Sequence, residues 1–539
     1  MRIGAKGGVL PQRWDVIVVG GGHNGLVAAG YLARSGMTVL LLEQRPWVGG
    51  LTTTEEIFPD FWAEPASQVA HGIEPIVYRD MRLFGFGVEA VRPDPYMVTP
   101  FPDGRRLVGY RSAKRLVDEI RQFSEPDAAA WFDFRSLMTD IATDLRFSPL
   151  EPPPTIVEFF ERAQQSKYAE NIYKIVFGTI REFFDERFES EEVKSVLSLL
   201  GTAFNIAGPM SFSPYMLLHW AYPQNALMDS SDGTDLQFRG GTLRTKGGIG
   251  SLTKAMGRSA EADGVEIRVS SPVSQIIVED GVTRGVILES GERCDADFVL
   301  STADPNGTLL HLVGPDHLDP SLYSMLQRQK PNGGGSKFIM AFDGEPCFAA
   351  ARDDDENRSF LRSSFRFAPT MEYQERAYDD AKYGEPSRHP VIYGQCPTAI
   401  DASLAPEGKN IINLTVFHAP YRLRSGTWDD WREPFSQSIL ATVREYITNL
   451  DEGLMHCRLI TPADIEAIYR IPGGSPAHGP MNFPRLMGLY PQPSWQSHTS
   501  PITNLFFGGA GTWPGGGVTG GPGYNGAMRV LGKAGIATT

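Results

Sequence analysis

The sequence predicts an α/β fold in which a Rossmann-like dinucleotide-binding portion is joined to an α+β portion and a helical subdomain. Three stretches carry that reading: a βαβ unit over Trp14 to Gly50, a glycine-marked return at Gly247 to Ala303, and a glycine-dense tail from Leu505 to Gly526. Between them lies a run with helical periodicity and few strand signals.

The first stretch, WDVIVVGGGHNGLVAAGYLARSGMTVLLLEQRPWVGG, contains every part of a nucleotide-binding unit in order. Asp15 to Val19 is a β-branched apolar run that ends in Gly20-Gly21-Gly22-His23-Asn24-Gly25, a GxGxxG turn. Leu26 to Ser35 carries apolar and small residues at helical spacing, and Met37 to Leu42 reads as the second strand. In such a unit the glycines let the backbone approach a pyrophosphate and the helix pack on the strand, while the free N–H groups at the helix start attract the phosphates. Glu43 ends the second strand at the spacing of a carboxylate that accepts ribose hydroxyls and repels a 2′-phosphate.

The continuation Arg45-Pro46-Trp47-Val48-Gly49-Gly50-Leu51-Thr52-Thr53 brings a second glycine pair soon after the acid, as an extended dinucleotide requires. Downstream, Gly247 to Leu252 opens a helix, and Val265 to Val269, Pro272 to Val278 and Arg284 to Leu288 read as strands around an Asp280-Gly281 turn. Phe298 to Asp304 is a further buried strand ending in small residues. In the tail, a strand runs into Gly508-Gly509-Ala510-Gly511-Thr512-Trp513-Pro514-Gly515-Gly516-Gly517-Val518 and then into a helix, a way of setting backbone N–H groups against a second part of one cofactor.

Composition excludes several classes. A hydrophobic fraction of 41% and a charged fraction of 21% are those of a globular protein, and no run approaches the roughly 18 apolar residues of a membrane span. A net charge of −14 without clustered Lys or Arg excludes nucleic acid as a partner. Cys294, Cys347, Cys396 and Cys457 form no CxxC pair, which removes dithiol redox exchange and leaves no metal site. The N-terminal MRIGAKGGVLPQRW has no apolar core of a secretory signal, so the expected location is the cytoplasm.

Between the cofactor segments, Tyr96 to Phe101 and Arg105 to Tyr110 read as a hairpin about Pro102-Asp103-Gly104. Ser124-Glu125-Pro126-Asp127 reads as a capping box, followed by a stripe of Trp131, Phe134, Leu137, Ile141 and Leu145. Pro152-Pro153-Pro154 ends that helix, Thr155 to Phe160 begins another, and Tyr168 to Phe184 holds one further apolar face. This block, 112–200, is either ordinary core or a lid and peripheral membrane surface that collects a lipophilic substrate. Gly333 to Lys337 reads as a linker, since a strand-like FIMAF follows where a phosphate loop needs a helix. Ile411 to His418 reads as a strand and Pro434 to Leu450 as a helix. No second GxGxxG with a helix and an acid exists, so no separate pyridine-nucleotide domain is expected.

The glycine pair and the tail resemble the motifs of two-dinucleotide-fold flavoproteins, and the chain as a whole resembles the phytoene desaturase-like family. Within it, the likeness is to the carotenoid ketolase branch and the pyridine nucleotide-disulfide oxidoreductase domain-containing relatives. Leu51 stands where amine oxidases usually carry Arg, Trp513 where relatives commonly carry His, and Tyr524 where they frequently carry Arg. The resemblance implies FAD as cofactor and a largely apolar, unsaturated substrate, with desaturation, ketolation, isomerisation or saturation as reactions and a flavin-stabilised binding protein as the alternative. The cofactor-binding set so implied is Gly20, Gly22, His23, Asn24, Gly25, Glu43, Gln44, Arg45, Gly49, Gly50, Leu51, Thr52, Val273 (through its backbone, at adenine), Ala303, Gly511, Thr512, Gly517 and Val518. His71, His478 and Trp513 are the candidates for a place beside the reacting atoms. The implied division is a discontinuous FAD-binding domain of 1–75, 240–310 and 500–539, and a substrate-binding domain of 76–239 and 311–499.

Overall fold

A parallel sheet gathers segments far apart in the chain. In the computed structural model, which describes residues 13–68, 72–202, 207–221, 243–329, 333–488 and 497–537, β1 (Arg13–Val19) lies between β2 (Val39–Leu42) and the strand Arg293–Ser301, parallel to both. Glu266–Arg268 extends the sheet beyond β2, Leu505–Phe507 adds in parallel to Arg293–Ser301, and the Val273–Leu288 hairpin closes the other edge. The four residues of β2 are all buried, as are Val16 to Val19 of β1, in keeping with strands covered on both faces. The helix α1 (His23–Arg34) and the C-terminal helix Gly521–Ala534 pack together on one face, and Gly523 approaches so closely that a Cβ would stand 2.1 Å from the Asn24 carbonyl oxygen.

A second seven-stranded sheet runs in the order Leu454–Ile460, Gly335–Asp343, Lys409–Phe417, Ile392–Gln395, Ser364–Phe367, Met97–Pro100, Arg106–Gly109. One face is a dry core of Phe338, Met340, Leu414, Val416, Phe365 and Phe367 against the helices Asp354–Arg362 and Trp428–Arg444. The alternate residues, Lys337, Ile339, Asn413, Thr415, Tyr393, Gln395, Ser364 and Arg366, face the other way. Ile339 and Ala341 there meet Phe61, Ala63 and Leu51, which places this face toward the first sheet's loops.

The aromatic block is core. Trp131, Phe134, Met138, Ile141 and Leu145 are buried in one cluster with Phe159, Ile172, Ile175, Phe183 and Phe184, leaving Phe132, Val157 and Phe177 as its exposed large apolar side chains.

Four details differ from the sequence reading. Gly335 to Lys337 belong to a strand, Gly335–Asp343, rather than a linker, and the strand begins by pairing Gly335 with Phe417. Ser124 does cap the amide of Asp127, but the Asp127 carboxylate does not fold back to complete a box; it accepts the amides of Glu189 at 2.7 Å and Ser190 at 2.9 Å. The face from Tyr168 to Phe184 is two helices, Ala169–Phe177 and Ile180–Asp185, because Thr179 and Glu182 form a true capping box that starts the second. The helix expected from Pro434 begins at Trp428, where Thr427 and Asp430 cap it, so Pro434 lies inside.

Candidate functional site: a dinucleotide crevice facing a buried polar sheet

The C-terminal ends of the parallel strands bring most of the expected residues to one crevice, where an open α/β sheet binds its ligand. Gly22 caps α1 with no side-chain hydrogen bond and no acid stands in the first turn, so the helix start presents bare N–H groups. Gly25 must be glycine, since a Cβ would lie 1.9 Å from the Gly20 carbonyl oxygen. Gly22 bridges to Gly49, and the Gly49 amide donates to Gly21 O at 2.8 Å, so the glycine pair is held against the first loop. Thr302 Oγ1 donates to Val19 and Gly20 carbonyls, placing Ala303 beside that loop, and Gly508 N donates to Ser301 O at 2.9 Å, which seats the tail there as well.

Glu43 is buried at the end of β2 and does more than the sequence reading asked of it. One carboxylate oxygen accepts Gly21 N at 2.7 Å and the other accepts Arg45 N at 2.8 Å, so the acid ties the loop to the strand while each oxygen keeps a further lone pair. Ser271 N donates to Glu43 O at 2.8 Å, which brings the Val273 strand to the same end. An uncapped helix start, an acid with spare lone pairs and a backbone cradle without side chains are a donor and acceptor set that fits an adenine dinucleotide.

His23 is half-buried behind the loop, its Nδ1 3.4 Å from Thr52 Oγ1; withdrawal from water pulls it down to about 4, partly offset by a Gly517 backbone group and reinforced by His478. The tail residues Gly517 and Val518 therefore meet α1, and Asn24 presents a buried, unpartnered Oδ1 nearby. His478 is held low by burial, against the opposing charge of Asp304, and lies against Gly511. Thr512 is buried and donates to Gly509 O at 2.8 Å.

Other expected residues turn elsewhere. Gln44 donates to Tyr469 O at 3.4 Å, and Arg45 makes a two-pronged bond to Glu55 at 2.8 and 2.9 Å with its guanidinium over Trp47 and Tyr469. Leu51 packs with Phe61 and Tyr469. Trp513 is 1% exposed; its indole N–H donates to Ser148 O at 3.1 Å and its ring meets Phe147 edge-on at 5.4 Å, so the tail loop is pinned to the helical block. It borders a cavity of about 140 Å³ lined also by Leu145, Phe159, Tyr215 and Met487. Tyr524 sets its ring edge-on to Tyr31 at 5.0 Å. His71 lies outside the described residues.

A group absent from the expected set stands on the second sheet. Lys337 is 2% exposed, bonded to Gln68 Oε1 and 3.3 Å from Thr415 Oγ1, and burial pulls it down to about 7 against the opposing charge of Glu64. Glu64 accepts Asn413 Nδ2 at 2.8 Å. The signal in the sequence is a Lys at an inward position of the alternation Ser336-Lys337-Phe338-Ile339-Met340, hidden by the glycines before it.

Known proteins bear the same stamp. The chain is 29% identical to pyridine nucleotide-disulfide oxidoreductase domain-containing protein 2 of Mus musculus, covering 98% of this chain and 95% of that one. It is 24% identical to a component of the limonene dehydrogenase of Castellaniella defragrans (97% and 96%) and to the neurosporene-forming phytoene desaturase of Cereibacter sphaeroides (96% and 93%). A putrescine oxidase triple mutant shares the fold with a TM-score of 0.60 at 15% identity over 97% of this chain and 98% of its own. The family model for flavin containing amine oxidoreductases matches residues 25–394, more than half of the chain. With the crevice described above, this makes the chain a member of the flavin-containing amine oxidoreductase family, a phytoene desaturase-like oxidoreductase that uses FAD.

Proposed function

We propose that the protein oxidises a largely apolar, unsaturated, isoprenoid-like compound, by desaturation or a related oxidation. The observation that carries this is the course of the tail: the loop of Gly511 and Gly517 sends Trp513 into the aromatic core of the helical block, beside a cavity walled by Leu145, Phe159 and Met487 on one side and Arg146, Glu151 and Arg162 on the other. Relatives named for limonene dehydrogenation and phytoene desaturation, alike over nearly their whole length, favour the same substrate class.

When bound, FAD supplies two-electron chemistry by accepting a hydride. The chain's own residues do the rest. The α1 N-terminus and Gly20 to Gly25 would hold the pyrophosphate, Glu43 the ribose, and the backbone at Val273 the adenine. Lys337 Nζ, poised between charge states near neutral pH, would hold or release a proton on the face of the second sheet turned toward the crevice, with Gln68 and Thr415 fixing its position. The indole of Trp513, 1% exposed, would serve an unsaturated substrate as part of the cavity wall rather than as an open stacking face.

The experiment is anaerobic mixing of the FAD-loaded protein with phytoene, limonene and retinol. Bleaching of the flavin absorbance by at least one supports the reading. Turnover without net bleaching would instead indicate isomerisation, and binding with neither would indicate a protein without turnover.

A further inference from the structure

The polar face of the second sheet holds more buried positive charge than its neighbours neutralise. Lys337 and Arg244 both face a single carboxylate, Glu64, which already accepts Asn413 Nδ2 at 2.8 Å and Ile249 N at 3.4 Å. Arg244 is 5% exposed, and its Nη1 is buried with no hydrogen-bond partner; it lines a cleft with Glu64, Gln68 and Ile249. Arg366 stands in register with Tyr393 on the adjoining strand and reaches Val196 O at 3.2 Å, with no carboxylate facing it among the described residues. Gln68, which shares the cleft with Arg244, donates Nε2 to Tyr393 O at 3.4 Å, so both arginines lie near Tyr393.

The opposite face of these strands is sealed, yet Thr415, Tyr393 and Arg366 keep accessible surface in the middle of the sheet. They border a space rather than a packed layer. Buried cations are ordinarily paired, because removing a charge from water without a partner is costly. An arginine fork in a low-dielectric wall is the group best suited to a carboxylate, which it can meet through two parallel N–H bonds.

We infer that the substrate is amphipathic, with an unsaturated apolar body and a carboxylate head that docks on Arg244 and Arg366 across Tyr393. The reacting bond then lies at a set distance from the head rather than being found by shape alone. The inference rests on the oxidoreductase reading above for the word substrate, and its test is one of binding, so that the two stand or fall separately.

The test titrates retinoate against retinol, and cinnamate against cinnamyl alcohol, into the FAD-loaded protein, following flavin absorbance and calorimetric heat. At least one carboxylate should bind about tenfold or more tightly than its alcohol, because only the charged head can take two parallel N–H bonds from a guanidinium. Arg244→Gln and Arg366→Gln should each remove most of that preference while FAD content and alcohol binding stay as they were. Alcohols that bind as well as carboxylates, failure of both carboxylates to bind, or variants that lose FAD in step with the carboxylate would overturn it. Should a variant fail to fold, the wild-type carboxylate-to-alcohol ratio decides alone. A neutral terpene that bleaches the flavin in a protein indifferent to carboxylates sinks only this inference. Tight carboxylate binding in a protein that no compound bleaches sinks only the redox reading.

Discussion

The Trp513 indole N–H donates to the Ser148 carbonyl at 3.1 Å, a bond that joins the last glycine-rich loop of the chain to the end of a helix more than 350 residues earlier. The ring is buried among Phe147 and its neighbours, so it serves as a pin whatever else it touches.

Trp513→His should therefore destabilise the protein by about 3 kcal/mol, the usual cost of removing most of a buried aromatic side chain. FAD content measured after gel filtration should remain near stoichiometric, because the crevice is built of backbone. Thermal melting checks the first expectation. A variant as stable as the wild type would mean that the block holds without the pin.

Glu43→Gln should cut FAD retention by at least about tenfold and lower stability by about 2 kcal/mol, since one of the two loop amides then meets an NH2 in place of an acceptor. The ratio of flavin to protein absorbance after dialysis, with a denaturant titration of the apoprotein, separates the two effects. Unchanged retention would show that the acid serves the loop alone.

Asp127→Ala should cost about 3 kcal/mol by orphaning the amides of Glu189 and Ser190 at the entrance to the helix Glu191–Thr202. Asp127→Asn, which keeps one acceptor, should recover part of the loss. Urea midpoints compare the three proteins.

Lys337 titrates near 7 in the fold and near an ordinary lysine's 10.5 when unfolded. Between those values the unfolded chain binds more protons than the native one, so this group makes stability rise with pH across that window. Below about 7 the cost of the buried ammonium is fully present. Lys337→Met should be more stable than wild type at pH 7, with the gap narrowing by pH 9. Urea unfolding at the two pH values gives the sign, and an equal gap at both would contradict the assignment.

What the sequence disclosed was chiefly what lies close together along it. β1, the glycine loop, α1, β2 and Glu43 occupy one continuous run, and each part constrains its neighbour by geometry that spacing records. The return and the tail were legible because glycine at such density has few other uses. The second sheet was not, because Met97–Pro100 pairs with Ser364–Phe367, and nothing local to either strand names the other. Lys337 is hard to read for a related reason: its meaning lies in Gln68 and Glu64, about 270 residues away. Asp127 likewise looked like half of a local box while its partners stand 62 and 63 residues on.

The pairing of Leu505–Phe507 with Arg293–Ser301, and the seating of Gly523 on the Asn24 carbonyl, set an order of events during biosynthesis. The dinucleotide loop leaves the ribosome long before its flank and its covering helix do. At about 5–20 residues per second, roughly half a minute or more separates them. Through that interval the loop has no finished crevice in which to hold a cofactor. Flavin capture thus waits for the tail to emerge. A product stopped before Leu505 would be left with an apolar sheet edge open and no ligand to steady it, material for proteolysis rather than for a slow second chance.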